Sequence, residues 1–126
     1  MKKIISTTDA PKAVGPYSQA VEAGSTVYVS GQIPVVPSDG TIPDGIEAQT
    51  TQSLRNVGAI LAAAGLGYSD VVKTTVLLAD IADFKAMNAV YAEFFTKDQP
   101  SRACYQVAAL PLGVKVEIEA VAVRTK

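Results

Sequence analysis

Residues 100–119 constrain the fold more than any other stretch, because two β-rich runs follow each other closely there. Pro100 cannot donate a ladder hydrogen bond, so it fits at or just before the start of a strand. Residues 109–113 separate the two runs, and their proline and glycine are typical of a longer hairpin loop. The sequence therefore predicts two paired antiparallel strands near the C-terminal end.

The pairing register of these two runs decides which polar side chains meet. Arg102 and Cys104 share one face of the first run, and Glu117 and Glu119 share one face of the second. In one register Arg102 faces Glu119 and Cys104 faces Glu117, whereas a slip of one residue moves both glutamates to the opposite face. By pattern alone these residues are typical of a solvated sheet face, and the register stays open.

The rest of the chain alternates between strand and helix patterns. From Ile46 apolar residues recur every three or four positions up to Gly65, which predicts one helix ending there. Asp80 or Asp83 is a suitable N-cap for a second helix, whose inward face carries residues 84, 87, 91 and 94. The other predicted strands lie at residues 3–6, 17–22, 26–30 and 71–79, and a proline- and glycine-rich loop spans residues 32–45.

This order, β-β-β-α-β-α-β-β, predicts an α+β fold. A chain of 126 residues is the size of one domain, so residues 1–126 are expected to form a single domain. One layer of helices is enough to cover one sheet at this length. We therefore expect a single mixed β-sheet with both helices packed on one face.

Composition excludes several classes of function. The net charge of −1 comes without a basic cluster, which disfavours nucleic-acid binding. The chain has no histidine, which excludes Ser-His and Cys-His catalysis and disfavours a zinc site. Cys104 is the one cysteine, so no internal disulfide forms. Neither a signal-peptide pattern nor a membrane-length apolar run is present, so we expect a cytoplasmic protein without a membrane partner.

Four motifs stand in a specific order along the chain. Residues 100–119 read Pro-x-Arg-x-Cys-x-x-Val-x-x-Leu-Pro-x-x-x-x-x-Glu-Ile-Glu, residues 15–20 read Gly-Pro-Tyr-Ser-Gln-Ala, and residues 30–34 read Ser-Gly-Gln-Ile-Pro. An Asp-Phe pair at residues 83–84 precedes Asn88 and Tyr91. Together these motifs resemble the RidA family of reactive intermediate (enamine/imine) deaminases, and the resemblance covers essentially the whole chain.

The resemblance implies a fold and an assembly. RidA proteins have a chorismate-mutase-like α+β sandwich and form homotrimers, with sheets packed inward and three clefts at subunit interfaces. An apolar second face of the predicted sheet, including Val71, Val121 and Val123, agrees with burial in such a trimer. The family hydrolyses 2-imino acids, in equilibrium with enamines, to 2-oxo acids and ammonia, and it needs no metal or cofactor. The resemblance therefore implies a 2-iminobutanoate/2-iminopropanoate deaminase.

The family's site residues map onto this sequence position by position. Arg102 matches the arginine that binds the substrate carboxylate, since a guanidinium can do so with two parallel hydrogen bonds. Glu117 matches the glutamate that orients water or relays its proton, with Glu119 as the weaker candidate. Tyr17 matches the tyrosine that lines the cleft. The remaining matches to substrate-binding positions are Ser30, Gly31, Asn88 and Cys104, the last as a lining residue rather than a nucleophile.

Two departures and one alternative function remain open. Many RidA proteins carry an arginine where this chain has Ala109 and a lysine where it has Leu112, so positive charge is missing near this loop. The alternative function is a regulatory module that binds 2-oxo acids without turnover, because an arginine beside a carboxylate is sufficient for binding. A general chaperone or ribonuclease function, proposed for relatives, gains little support, because the chain has no basic stripe and trimer contacts better explain its apolar surface.

Overall fold

A computed structural model of the chain describes residues 1–125 and contains one six-stranded sheet with two α-helices. The elements are β1 (Lys2–Ile5), β2 (Ala20–Ala23), β3 (Thr26–Gln32), α1 (Ile46–Ala63), β4 (Val71–Leu78), α2 (Phe84–Phe94), β5 (Ser101–Gln106) and β6 (Val116–Val123). The sheet order is β1-β2-β3-β6-β4-β5. All neighbouring strands are antiparallel except β4 and β5, which are parallel. The prediction of a mixed sheet in an α+β fold is confirmed.

The predicted C-terminal hairpin is wrong. β5 and β6 do not pair, because β4 lies between them and bonds to both. β4, α2 and β5 instead form a β-α-β unit, in which the helix crosses over so that the two strands run parallel. β5 therefore lies at the edge of the sheet, one strand away from its predicted partner.

This strand order places the arginine and the two glutamates on opposite faces of the sheet. Arg102 is level with Thr74 of β4, and Thr74 is level with Ala120 of β6, so these three side chains point toward the helices. Glu117 and Glu119 alternate with the buried residues of β6 and point the other way. Of the two registers left open by the sequence, the one in which Arg102 faces Glu119 and Cys104 faces Glu117 therefore does not occur within one chain.

Helix α1 lies where its apolar periodicity predicts it. It ends at Ala63, and Gly65 follows with φ +76°, a left-handed conformation that glycine adopts without strain. Its inward face buries Leu54, Val57 and Leu61 completely. Burying each such side chain contributes about 1.5–3 kcal/mol, so this stripe fixes the helix on the sheet.

Helix α2 and the inner sheet face complete the core. Asp80 caps a 3₁₀ turn just before α2, its carboxylate accepting from the Ala82 N–H at 2.9 Å, while Asp83 makes no capping bond. Met87 and Tyr91 are buried as predicted, and Phe84 and Phe94 pack at the margin of the core. Alternate residues of the central strands, namely Val27, Val76, Val116 and Ile118, are fully buried beneath the two helices.

The second face of the sheet is open and carries both apolar and charged side chains. Ile4, Tyr28 and Tyr105 are each about half exposed there, beside the half-buried Val121 and Val123. The expectation that Val71 shares this face is wrong, because Val71 pairs with the buried Ala122 and is itself buried on the helix side. The predicted strand at residues 17–22 begins only at Ala20, so Tyr17 lies in a loop. Within residues 1–125, no helix is long and apolar enough to cross a membrane.

Candidate active site

Arg102 lies on the edge strand β5, where its guanidinium is exposed yet held in place. Its Nη1 donates to Asn88 Oδ1 at 2.7 Å, so helix α2 fixes one end of the group. Its Cζ lies 4.8 Å from the ring centroid of Tyr91 and 5.5 Å from that of Phe84, which are cation–π distances. Within residues 1–125 Arg102 has no ion pair, since the one salt bridge joins Arg124 to Glu22 at 3.0 Å.

The side chains around this guanidinium form an open cavity of about 510 Å³. Asn88, Tyr91, Phe95, Gln99, Pro100 and Arg102 are among its lining residues. Tyr91 is held from below by a buried hydrogen bond of 2.7 Å between its hydroxyl and Thr74 Oγ1. Cys104 follows two residues after Arg102 on the same face of β5. Burial raises the pKa of the Cys104 thiol, and the neighbouring Arg102 charge opposes this only in part.

A second cavity, of about 530 Å³, lies on the open face of the sheet. Its lining includes four of the sequence-predicted site residues, Tyr17, Ser30, Gly31 and Glu117, together with Glu119. Glu117 is half-buried, and this burial raises the pKa of its carboxyl, with the charge of Glu119 adding to the effect. A carboxyl with a raised pKa can exchange a proton closer to neutral pH than an ordinary glutamate.

Gly31 is required by the position of Glu117. A Cβ atom built on Gly31 would overlap Glu117 Oε2 and would lie 3.0 Å from Cδ and 3.2 Å from Cγ. The Glu117 carboxylate therefore packs directly over the backbone of Gly31. β3 and β6 bring the two residues together near an irregularity in their pairing between Val29 and Gln32.

Ser30 and Tyr17 have defined hydrogen-bonding roles at this cavity. Ser30 Oγ donates to the Ser18 carbonyl at 2.6 Å, so its hydroxyl proton is already used and the oxygen can act only as an acceptor toward a ligand. The Tyr17 hydroxyl accepts from the Val14 N–H at 3.4 Å, and the ring is about half exposed. The Tyr17 ring thus forms a wall of the cavity, and the Tyr17 hydroxyl can still donate its own proton.

Three buried polar side chains that the sequence analysis did not single out hold the loops around this cavity. The Gln19 amide accepts from the Thr7 N–H at 2.7 Å and donates to the carbonyls of Thr7, Ala10 and Pro11. Asn56 Nδ2 donates to the carbonyls of Ile33 and Val35. Ser53 Oγ donates to the Gln32 carbonyl at 2.6 Å. For Ser53 and Asn56 the sequence did carry a signal. Together with Gln49 they are spaced four and then three residues apart along α1, so the three polar side chains share one helix face.

The sequence-predicted residues thus fall into two groups within one chain. The arginine group contains Arg102, Asn88 and Cys104 on the helix side of the edge strand, and the glutamate group contains Tyr17, Ser30, Gly31 and Glu117 on the open face. β4 separates the strands that carry Arg102 and Glu117. Among residues 1–125, no cluster of three or more His, Cys, Asp or Glu side chains could hold a metal ion.

Solved structures share this fold over the whole chain. E. coli TdcF with bound serine superposes with a TM-score of 0.95 and 52% identity, covering 98% of this chain and 99% of that one. RidA from an Antarctic Psychrobacter superposes with a TM-score of 0.93 and 45% identity, covering 96% of this chain and 98% of that one. The architecture, shared with these structures over almost the whole chain, therefore defines an α+β protein of the RidA type.

Sequence comparison agrees with the structural comparison. The family model described as Endoribonuclease L-PSP matches residues 7–124. The mouse 2-iminobutanoate/2-iminopropanoate deaminase is 54% identical over 125 residues, which cover 98% of this chain and 93% of the mouse protein. The human protein of the same name is 52% identical over 125 residues, covering 98% of this chain and 91% of its own length. This chain belongs to the Endoribonuclease L-PSP family, and its resemblance to RidA proteins is confirmed.

Proposed function

We propose that this protein is a 2-iminobutanoate/2-iminopropanoate deaminase of the cytoplasm, with residues 1–126 acting as one domain. It hydrolyses 2-imino acids, in equilibrium with their enamines and released by pyridoxal-phosphate enzymes, to 2-oxo acids and ammonia. The names of relatives that are 52–54% identical over almost the whole chain support the reaction. The serine bound to the E. coli relative supports a site for small amino-acid-like carboxylates.

The exposed guanidinium of Arg102 is the observation that carries this proposal. Asn88 occupies only one of its nitrogens, and the rings of Tyr91 and Phe84 orient its plane. The remaining N–H groups form a fork that matches a carboxylate, which a lysine would bind only as a point charge. Arg102 therefore binds the carboxylate of the imino acid and fixes the orientation of the adjacent C=N bond.

Glu117 moves the proton in this reaction. Water attacks the imine carbon, and Glu117 accepts the water's proton as the C–O bond forms. Glu117 then returns that proton to the nitrogen, which gives a carbinolamine with one hydroxyl and one amino group. The hydroxyl proton next passes through Glu117 to the nitrogen, the C–N bond breaks, and ammonia leaves as the C=O bond forms. The raised pKa of Glu117 suits both halves of this exchange. Atoms balance with one water consumed and one ammonia released.

The other site residues hold and shape the substrate. Ser30 Oγ, whose proton is already donated to Ser18, accepts a hydrogen bond from the imine N–H. Gly31 allows the substrate and the Glu117 carboxylate to approach the backbone closely. Tyr17 supplies a wall and a hydroxyl. Cys104 lines the arginine side of the cleft as a thiol, because its raised pKa disfavours the thiolate.

The two groups of residues meet between subunits of a homotrimer. Arg102 lies on an edge strand, and the glutamate group lies on the open face, so a neighbouring copy is needed to bring them together. Burial of Ile4, Tyr28 and Tyr105 in such an assembly would remove three large apolar side chains from water. Closed cyclic symmetry then produces one cleft per interface.

The test is a competition assay for the imine. Threonine dehydratase generates 2-iminobutanoate in the presence of semicarbazide, and diversion of the imine from this trap to 2-oxobutanoate is measured. We expect diversion by the parent protein and none by Arg102→Ala. An Arg102→Ala variant as fast as the parent would refute the proposed role of the arginine.

Glu117→Gln distinguishes the enzyme from the binding module. Arg102 and Asn88 suffice for binding a 2-oxo acid, so the module would bind 2-oxobutanoate without turnover by the parent protein. For the enzyme, Glu117→Gln should abolish turnover while calorimetry still detects 2-oxobutanoate. Absence of turnover by the parent, with binding intact, would favour the regulatory module.

A further inference from the structure

An apolar groove of about 530 Å³ extends from the glutamate group and has no part in the steps described above. We name it the side-chain groove and define it by Val14, Ile33, Val35, Val36 and Leu112. Lys12 is the one charged residue among those that line it. Val14 is 91% exposed and Leu112 is 76% exposed, so two large apolar side chains stand in water at its mouth.

The walls of the groove are held by the hydrogen bonds of two buried amides. Gln19 holds the loop that carries Val14, through its bonds to Thr7, Ala10 and Pro11. Asn56 holds the opposite wall through the carbonyls of Ile33 and Val35. Both amides are at least 95% buried, so each wall keeps its position without a ligand. A preformed groove costs a ligand little ordering on binding.

The groove is continuous with the cavity of the glutamate group. Five residues line both spaces, namely Val14, Tyr17, Gly31, Ile33 and Pro111. The imine carbon of a 2-imino acid bears a carboxylate, a nitrogen and a side chain. When this carbon lies at Glu117, the side chain is therefore free to enter the groove. Leu112 lines the groove from a backbone held at φ +57°, which is uncommon for a leucine.

We propose that the side-chain groove binds the substrate's side chain and selects 2-imino acids with apolar side chains longer than ethyl. The inference rests on the proposed deaminase function and names the substrate class for the same site. Each buried methylene favours binding about fourfold. An isobutyl side chain has two carbons more than ethyl, so the leucine-derived imine should be hydrolysed with kcat/KM about 15-fold above that of 2-iminobutanoate.

The experiment compares imines made in place by an amino-acid oxidase from alanine, 2-aminobutanoate, leucine and glutamate, each in competition with semicarbazide. We expect kcat/KM to rise from alanine to leucine and to be lowest for glutamate. Equal values for the first three, or a preference for the glutamate-derived imine, would overturn the subsite and leave the deaminase function standing. No turnover of any imine would overturn both.

Two variants test the groove itself. Leu112→Asn removes apolar surface, and asparagine tolerates the positive φ of this position. The ratio of kcat/KM for the leucine-derived imine to that for the alanine-derived imine should therefore fall about threefold. Val35→Phe fills the groove and should reverse the preference. The matched control is Ile81→Asn, which changes an exposed apolar residue in the turn before α2 and should leave the ratio unchanged. An unchanged ratio in Leu112→Asn, with the mass of the assembly also unchanged, would refute the subsite.

Discussion

Gly31→Ala is a small substitution with a large expected effect on turnover. The added Cβ overlaps Glu117 Oε2 and lies only 3.0 Å from Cδ and 3.2 Å from Cγ, so the carboxylate must move away. Restoring ordinary contact needs a displacement on the order of 1 Å, and a misplacement of that size costs about 100-fold in rate. We therefore expect kcat/KM for 2-iminobutanoate to fall about 100-fold.

The same substitution should change stability little. Gly31 is not in the left-handed region, so alanine fits its backbone. The displaced Glu117 is half-buried, and its side chain can turn toward solvent at a cost of about 1 kcal/mol. Replacing glycine by alanine also stabilises by about 0.4–1 kcal/mol, because the unfolded chain loses freedom. These two contributions nearly cancel, so the thermal midpoint should stay within a few degrees of the parent's.

The assay measures imine turnover and thermal unfolding side by side, with Gly67→Ala as the control. Gly67 has φ −138° and no heavy atom within 4 Å of an added Cβ, so this variant tests glycine replacement alone. It should keep parental activity. The reasoning is refuted if Gly31→Ala turns over imines at the parental rate, or loses activity only in proportion to lost folded protein.

Three further predictions concern the arginine group, the glutamate and the core. Arg102→Lys removes one charge-assisted hydrogen bond of about 1.5–3 kcal/mol, so kcat/KM should fall about 10- to 150-fold in steady-state assays. Burial raises the pKa of the Glu117 carboxyl in the folded protein above 4.5, so burying the neutral acid below pH 4.5 carries no charge penalty. As pH rises through the raised pKa, the buried carboxyl ionises and the free energy of unfolding falls. Glu117→Gln should therefore unfold at a higher temperature than the parent at pH 7, and the difference should vanish below pH 4.5; a constant difference would contradict the burial. Thr74→Val leaves the Tyr91 hydroxyl unpaired and should lower the free energy of unfolding by about 1–3 kcal/mol in urea titrations, whereas no loss would show that the bond contributes nothing.

Periodicity predicted the helices and most strands of this fold. Apolar residues recur every three or four positions from Ile46 up to Gly65, and this spacing predicted α1 because it places them on one face of a helix. The alternation in β6 marked its buried and open faces, and the structure follows it residue by residue. These patterns are local, so they need no knowledge of which elements become neighbours.

Strand pairing could not be predicted from the short loop at residues 109–113. That loop permits a hairpin, but β4 bonds to both β5 and β6 and separates them. The available signal was the order strand, helix, strand over residues 71–106, which is typical of a parallel β-α-β unit. Applied before the hairpin pattern, it would have placed Arg102 on an edge strand beside β4.

The candidate site was predicted as a set of residues but not as a geometry. Motif resemblance selected Arg102 and Glu117, yet their opposite orientations depend on the position of β4. Gln19 and Asn56 escaped notice because buried amides carry no hydropathy signal, although they fix the loops that shape the cavity. The spacing along α1 was a signal for Asn56, whereas the role of Gln19 becomes apparent only once its carbonyl partners are known.

The central claim is that Arg102 of one subunit acts with Glu117 of the next, and subunit mixing tests it most directly. Arg102→Ala and Glu117→Gln are unfolded, mixed in equal amounts and refolded together, with the parent refolded by the same route as the reference. Random assembly into trimers gives each cleft an intact arginine and an intact glutamate about one time in four. We therefore expect about one quarter of parental turnover from two inactive variants. A mixture that forms trimers yet is no more active than the separately refolded variants would contradict a site shared between subunits.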